Sequence, residues 1–201
     1  MIGEIVLPAP RRIRPVPSNI FSDLRHLIGA QRLDLHPTYY DGNITNKFLK
    51  DKLGRRNGKI AFEVIESLLV LAVEITGTVV GVDLDFRDVK PAQAQRHTGF
   101  WHRDGARNLV IVSDDKIPTQ FLTGNIPEGY PLPDRIIKAI GNDSYLNGED
   151  NTAVERLVAD GILLTEDTDP FVVYSFTDQH LHRGLANVTD TTVSRGFIRF
   201  S

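Results

Sequence analysis

The chain has 201 residues, of which 41% are hydrophobic and 24% charged, with a formal net charge of −3 and no cysteine. That length and balance fit one domain whose core needs neither a metal nor a disulfide to stay folded. The absence of cysteine excludes a disulfide scaffold, a cysteine–zinc site, an iron–sulfur cluster and a thiol nucleophile, and the near-neutral charge calls for neither a nucleic-acid nor a membrane partner.

The N-terminal residues place an acid, Glu4, ahead of a Pro-rich basic stretch, which is not the order of a secretory signal. The longest strongly apolar run, 68–73, is far short of the ~20 residues that cross a bilayer. The expectation is a soluble, cytoplasmic protein. Ile20, Phe21, Leu24, Leu27 and Ile28 recur at helical spacing, with Ser18 as cap and Gly29 as stop. Ile44, Phe48, Leu49 and Leu53 predict a second helix and residues 60–75 a third, although 68–73 reads equally as a buried strand. From residue 82 the period changes. Val82, Leu84 and Phe86 alternate with Asp83, Asp85 and Arg87, and further strands are expected at 109–112, 118–122, 171–176 and 191–200.

Residues 123–169 form an insertion with two expected helices, 134–140 and 152–160. Its apolar face of Val154, Leu157 and Val158 and its many glycines fit a lid over a cavity mouth, or a static outer cover. The fold expected is mainly β with N-terminal helices: a β-sandwich or jelly roll in a single domain, 1–201. Residues 1–78 would be mainly helical support, and 79–201 the jelly-roll core carrying the insertion.

The histidines are His26, His36, His97, His102, His180 and His182. His102 opens an H-x-D step, Trp101-His102-Arg103-Asp104-Gly105. On a strand, residues i and i+2 share a face, so His102 and Asp104 could hold one metal ion, as a 2-His-1-carboxylate triad requires. The same tripeptide also reads as a surface turn with a solvated acid. Far along the chain, Gln179-His180-Leu181-His182-Arg183-Gly184 follows an apolar strand. In the last strand Val193, Arg195, Phe197 and Arg199 share one face. Arginine beside Val and Phe on a core face is costly without an anionic partner, and that strand carries no acid. A bound dicarboxylate would serve, because guanidinium binds carboxylate bidentately.

The order H-x-D, a distant His, then Arg on the final strand resembles the Fe(II)/2-oxoglutarate-dependent dioxygenase superfamily. The segment His182-x4-Asn187-x-Thr189-Asp190…Arg195 is similar to its phytanoyl-CoA hydroxylase-like branch. The 13 positions from His182 to Arg195 are slightly more than that branch usually has, which leaves Arg195 and Arg199 both open as the cosubstrate's partner. Pro118-Thr119-Gln120-Phe121 resembles the strand from which a Thr contacts 2-oxoglutarate. The resemblance covers residues 80–201 and specifies a superfamily, not a substrate. It implies a double-stranded β-helix, with His102, Asp104 and His182 as iron ligands and catalytic centre. It also implies Arg195 with Thr119, or Arg199, on 2-oxoglutarate, and a small-molecule substrate and O2 as partners. A carboxylate at 104 goes with hydroxylation rather than halogenation.

His180 shares parity with His182 and is the alternative ligand. Two other readings remain. A cupin-like metalloenzyme would use no 2-oxoglutarate, but Arg183-Gly184-Leu185-Ala186-Asn187 lacks the Glu it would need. A jelly-roll binding module would have no catalysis at all. Lys47, Lys50, Lys52, Arg55, Arg56 and Lys59 read as a solvated helix face rather than a nucleic-acid surface. Tyr39 and Tyr40 read as pocket lining or as loop.

Overall fold

Two antiparallel sheets face each other, and every strand described here belongs to one of them. The computed structural model describes residues 4–19, 21–22, 33–35, 70, 72–74, 77, 82–92, 100–104, 108–112, 116–146 and 148–200. The strands are β1 (Ile5–Leu7), β2 (Arg11–Pro15), β3 (Leu33–Leu35), β4 (Val82–Val89), β5 (Asn108–Val112), β6 (Thr119–Ile126), β7 (Leu163–Asp167), β8 (Val172–Phe176), β9 (His182–Gly184) and β10 (Val193–Phe200). One sheet has six strands in the order β2-β8-β5-β10-β4-β3. The other has four, in the order β1-β6-β7, with β9 paired to β6. Strand β10 lies inside the larger sheet and runs in register with β4 from Val193↔Val89 to Phe200↔Val82.

Strand β6 explains the layering. Its Phe121 points at the facing sheet, among Val110, Val172, Tyr174, Phe176 and Phe197. Its Leu122 and Ile126 point the opposite way and join Leu7, Trp101, Leu163 and Leu181 in a second core. A strand covered on both faces reads as a continuous apolar run, as Phe121-Leu122 does. The outer cover is a helix pair, α1 (Asp134–Asn142) and α2 (Gly148–Ala159). α1 buries Ile136, Ala139 and Ile140, and α2 buries Val154 and Leu157, both at helical spacing. Gly161, at φ +71°, ends α2. The Ile162 N–H reaches back to the Leu157 carbonyl at 3.0 Å and the Gly161 N–H to Val158 at 3.1 Å, the paired bonds of a left-handed helix stop.

Two results add to or differ from the sequence expectation. Within residues 1–78, expected to be mainly helical support, β1, β2 and β3 form sheet edges. Pro8, Pro10, Pro15 and Pro17 disguise β1 and β2, but an edge strand tolerates proline because one row of its N–H groups faces away from the ladder. The insertion is shorter than 123–169: residues 123–126 complete β6 and Leu163–Asp167 pairs with it as β7. The helix pair packs on the outer face of the smaller sheet as part of the core. Of the expected N-terminal helices, Asn19, Phe21, Ser22, Val70, Ala72, Val73 and Glu74 are helical. Ser18, the expected cap, lies in a turn. The rest of 20–28 and 60–75, all of 44–53, Tyr39, Tyr40, and the basic cluster from Lys47 to Lys59 lie outside the described residues. No described helix is long and apolar enough to cross a membrane.

Since Leu157 is 2% exposed within the core shared by helices and sheet, Leu157→Ala is expected to cost about 2–5 kcal/mol. Urea unfolding measures this; a loss below about 1 kcal/mol would mean that the helix pair is not part of the core.

Candidate metal centre

The site is built from one backbone pairing. The His102 N–H donates to the His182 carbonyl and the His182 N–H to the His102 carbonyl, both at 2.9 Å. Residues directly opposite in an antiparallel ladder project on the same side, so the two imidazoles emerge together. Asp104, two residues on from His102, shares that side. On its other edge the 101–103 segment is held by Leu146 N–H to Trp101 O at 2.9 Å and Arg103 N–H to Ser144 O at 2.8 Å. His182 is also in register with Phe121 of β6, and His102 with Tyr145. One inward-facing row therefore runs Phe121, His182, His102, Tyr145 across four neighbouring segments. Its ring centroids are 5.5, 4.3 and 5.3 Å apart in turn.

One ligand atom each from His102, Asp104 and His182 lies within 4.8 Å of the others. The histidines are buried and Asp104 is half-buried. His102 Nδ1 lies 3.1 Å from the Phe100 carbonyl and His182 Nδ1 lies 3.3 Å from the His180 carbonyl. A carbonyl only accepts, so each Nδ1 carries the hydrogen and each Nε2 is left for a further partner. His182 Nε2 faces Asp104 Oδ2 at 3.3 Å. Arg199 of β10 reaches the same Oδ2 at 2.6 Å. Burial alone would raise the Asp104 carboxyl; the hydrogen bond and charge of His182, with the charge of Arg199, outweigh it and hold the group well below the usual carboxylate range.

His180 is placed differently from His182. Its Nδ1 accepts the Thr177 N–H at 3.0 Å and its Nε2 donates to the Ala9 carbonyl at 3.2 Å. Burial holds its ring below the ordinary histidine value. Nδ1 thus closes the 177–180 turn and Nε2 ties it to the N-terminal segment. His26, His36 and His97 lie outside the described residues.

The inward face of β10 carries Val193, Arg195, Phe197 and Arg199 as the alternation required. Arg195 is 4% exposed. Its Nε donates to the Ile117 carbonyl at 3.0 Å, and its guanidinium lies 5.0 Å from the Phe197 ring centroid. Thr119, 4% exposed, is opposite Gly184 in β9, one same-face step of about 7 Å from Phe121 and His182. Ile117 is a further step along. Arg195 and Thr119 therefore mark one end of the inward face and Arg199 with the triad the other. Asn187, fully buried, donates through Nδ2 to the Val89 and Thr191 carbonyls, both at 2.8 Å, while its Oδ1 accepts the Thr189 N–H at 3.0 Å. Asn187 and Thr189 close the turn from β9 to β10 and so fix where Arg195 enters the sheet.

Sequence reasoning missed the aromatic surroundings. Phe176 meets the His182 ring edge-on at 4.9 Å, and Tyr145 stacks on His102. Phe121 and Phe176 were legible as core strand residues, whereas Tyr145 sits between the helices with no local signal. It is the insertion's contribution to the triad.

No family model matches the chain, and no curated protein does. Among solved structures it is similar to AviO1 from Streptomyces viridochromogenes Tue57, at 15% identity over 96% of this chain and 89% of that one, with a TM-score of 0.45. It is also similar to EvdMO1, at 12% identity over 98% of this chain and 56% of the other, TM-score 0.41. A third is the non-heme alpha-ketoglutarate-dependent carbocyclase SnoK from nogalamycin biosynthesis, at 9% identity over 96% and 87%, TM-score 0.38. At such scores the reading of the site rests on its own geometry.

If His180 serves only to tie its turn, His180→Ala is expected to lower stability by about 1–3 kcal/mol, the cost of leaving buried partners unpaired, while divalent-metal affinity stays unchanged. Unfolding and metal titration on the same sample measure both. Loss of metal affinity with stability intact would make His180 a ligand.

Proposed function

We propose that the chain is a non-haem Fe(II) and 2-oxoglutarate-dependent oxygenase that hydroxylates a small molecule, on a double-stranded β-helix formed by the two facing sheets. The observation that carries this reading is the convergence of His102, Asp104 and His182, with one ligand atom of each within 4.8 Å of the others. Each imidazole is fixed by a hydrogen bond at Nδ1. Nitrogen and oxygen donors in a 2-His-1-carboxylate set suit Fe(II) and leave further coordination positions open. A chain with no cysteine offers no thiolate to divert the choice toward soft-metal sites. In this reading His102, Asp104 and His182 hold the iron. With 2-oxoglutarate and O2, the bound iron supplies the oxidising power to attack an unactivated C–H bond.

The chain's own residues do the rest. The carbonyls of Phe100 and His180 orient the imidazoles. Arg199 balances the charge of Asp104 and fixes which carboxylate oxygen faces His182. Arg195 binds the distal carboxylate of the cosubstrate, with Thr119 beside it. The Arg195 guanidinium is buried on the inward face, and a guanidinium can bind a carboxylate bidentately. Arg199 is the alternative cosubstrate partner; its contact with Asp104 favours the charge-balancing role. Phe121, Phe176 and Phe197 wall the site with apolar rings and exclude water from it. The carboxylate of Asp104 fills the position a halide would need, which favours hydroxylation. O2 and a small-molecule substrate are the partners this chemistry requires.

Anaerobic addition of Fe(II) and then 2-oxoglutarate tests the reading. A visible charge-transfer band that needs both additions is expected, and its absence with both present would contradict it. In Arg195→Ala the 2-oxoglutarate concentration for half-formation of the band is expected to rise roughly 10- to 150-fold, the worth of a charge-assisted pair, with the Fe(II) requirement little changed. If Arg199→Ala gives that shift and Arg195→Ala does not, the two arginines exchange roles.

A further inference from the structure

The outward face of the same ladder carries a charged network that the proposed chemistry does not use. One residue along from the inward row, the register aligns Asp167 of β7, Gln120 of β6, Arg183 of β9 and Trp101. Trp101 precedes the first histidine of the triad and Arg183 follows the second. Arg183 Nε and Nη2 donate to Gln120 Oε1 at 2.9 and 2.8 Å, and Gln120 Nε2 donates to Asp167 Oδ1 at 2.8 Å. The Arg183 guanidinium lies 4.2 Å from the Trp101 ring centroid. Its Nη1 pairs with Glu155 of α2, and the same Glu155 Oε1 accepts the Trp101 indole N–H at 2.9 Å. Asn151, one helical turn earlier, accepts the Trp101 backbone N–H at 3.3 Å.

Apolar packing alone would suffice to dock a helix on a sheet. Here one carboxylate of α2 instead bonds the neighbour of His102 and the neighbour of His182, directly behind the pair. On the inward side the two segments are joined by the backbone exchange between residues 102 and 182, the ring contact at 4.3 Å and the approach of His182 to Asp104. A splay or slide of the 101–104 segment against β9 would change the spacing of the ligand atoms, and the outward network opposes that movement across the same two segments.

We propose that Glu155, acting through Arg183 and Trp101, is a positioning residue that sets the spacing of His102 and His182, so that helix α2 tunes metal affinity from outside the site. The inference rests on reading the triad as a metal centre. Co(II), bound in place of Fe(II), is the probe, because its visible ligand-field spectrum reports coordination geometry. Glu155→Ala is expected to weaken Co(II) binding about tenfold, the scale seen when the outer partners of metal ligands are removed, and to alter the spectrum. Glu155→Gln keeps an acceptor oxygen and is expected to recover most of the affinity, with the Tm of the metal-free protein unchanged. Arg183→Lys keeps the charge but loses the paired bonds to Gln120, and is expected to weaken Co(II) by a similar factor. Variants that bind Co(II) as the wild type does, with the same spectrum, would overturn this inference and leave the metal centre standing. A wild-type chain that binds no Co(II) would overturn the metal centre and this inference with it.

Discussion

Everything at the candidate site depends on the reciprocal backbone exchange between His102 and His182. It joins two segments 80 positions apart in the chain and makes two imidazoles neighbours on one side of the ladder. It leaves Asp104 on that side by strand alternation alone. Without this pairing the H-x-D step would be a surface turn with a solvated acid. The pairing is itself held from both edges, by Phe121 of β6 on one side and the 144–146 segment on the other. The connection between β6 and β7 thus contributes to the site by returning a short stretch of backbone beside Trp101, by Tyr145 on His102 and by Glu155 of α2 behind the pair.

The two faces of that ladder divide the work. Inward lie the donor atoms, the aromatic walls and the arginines of β10, which arrive from the opposing sheet. Outward lie Trp101, Arg183 and Glu155, locked to a helix. A buried arginine is expensive to desolvate unless its hydrogen bonds are met. Arg195 has a backbone carbonyl and an aromatic face, and Arg199 has Asp104. Their placement along β10 gives the inward face a charged end at the triad and another beside Thr119.

Much of this was legible in the sequence where the signal is periodic. The alternation of Val193, Arg195, Phe197 and Arg199 placed β10 and its inward face. The apolar run before Thr177 placed β8, and Ile136, Ile140, Val154 and Leu157 placed both insertion helices, although α1 runs two residues past the expected 140 and α2 begins four residues before the expected 152. What failed was set by tertiary partners. β1 and β2 are short, proline-flanked edges whose pairing depends on β6 and β8. β7 carries a polar Thr165-Glu166-Asp167 end and was absorbed into the insertion. The partners of His180, Ala9 and Thr177, include one from the far end of the chain, so parity alone left it equal to His182. The contact of Arg199 with Asp104 crosses from one sheet to the other and has no local signature.

The central claim is that His102, Asp104 and His182 bind one metal through both Nε2 atoms and the carboxylate. X-ray absorption at the iron edge, on the Fe(II)-loaded chain, tests it most directly. The account expects scattering from two imidazoles with the remaining positions filled by oxygen, and loss of that signature in Asp104→Ala. A spectrum with one imidazole or none, or one that Asp104→Ala leaves unchanged, would contradict it.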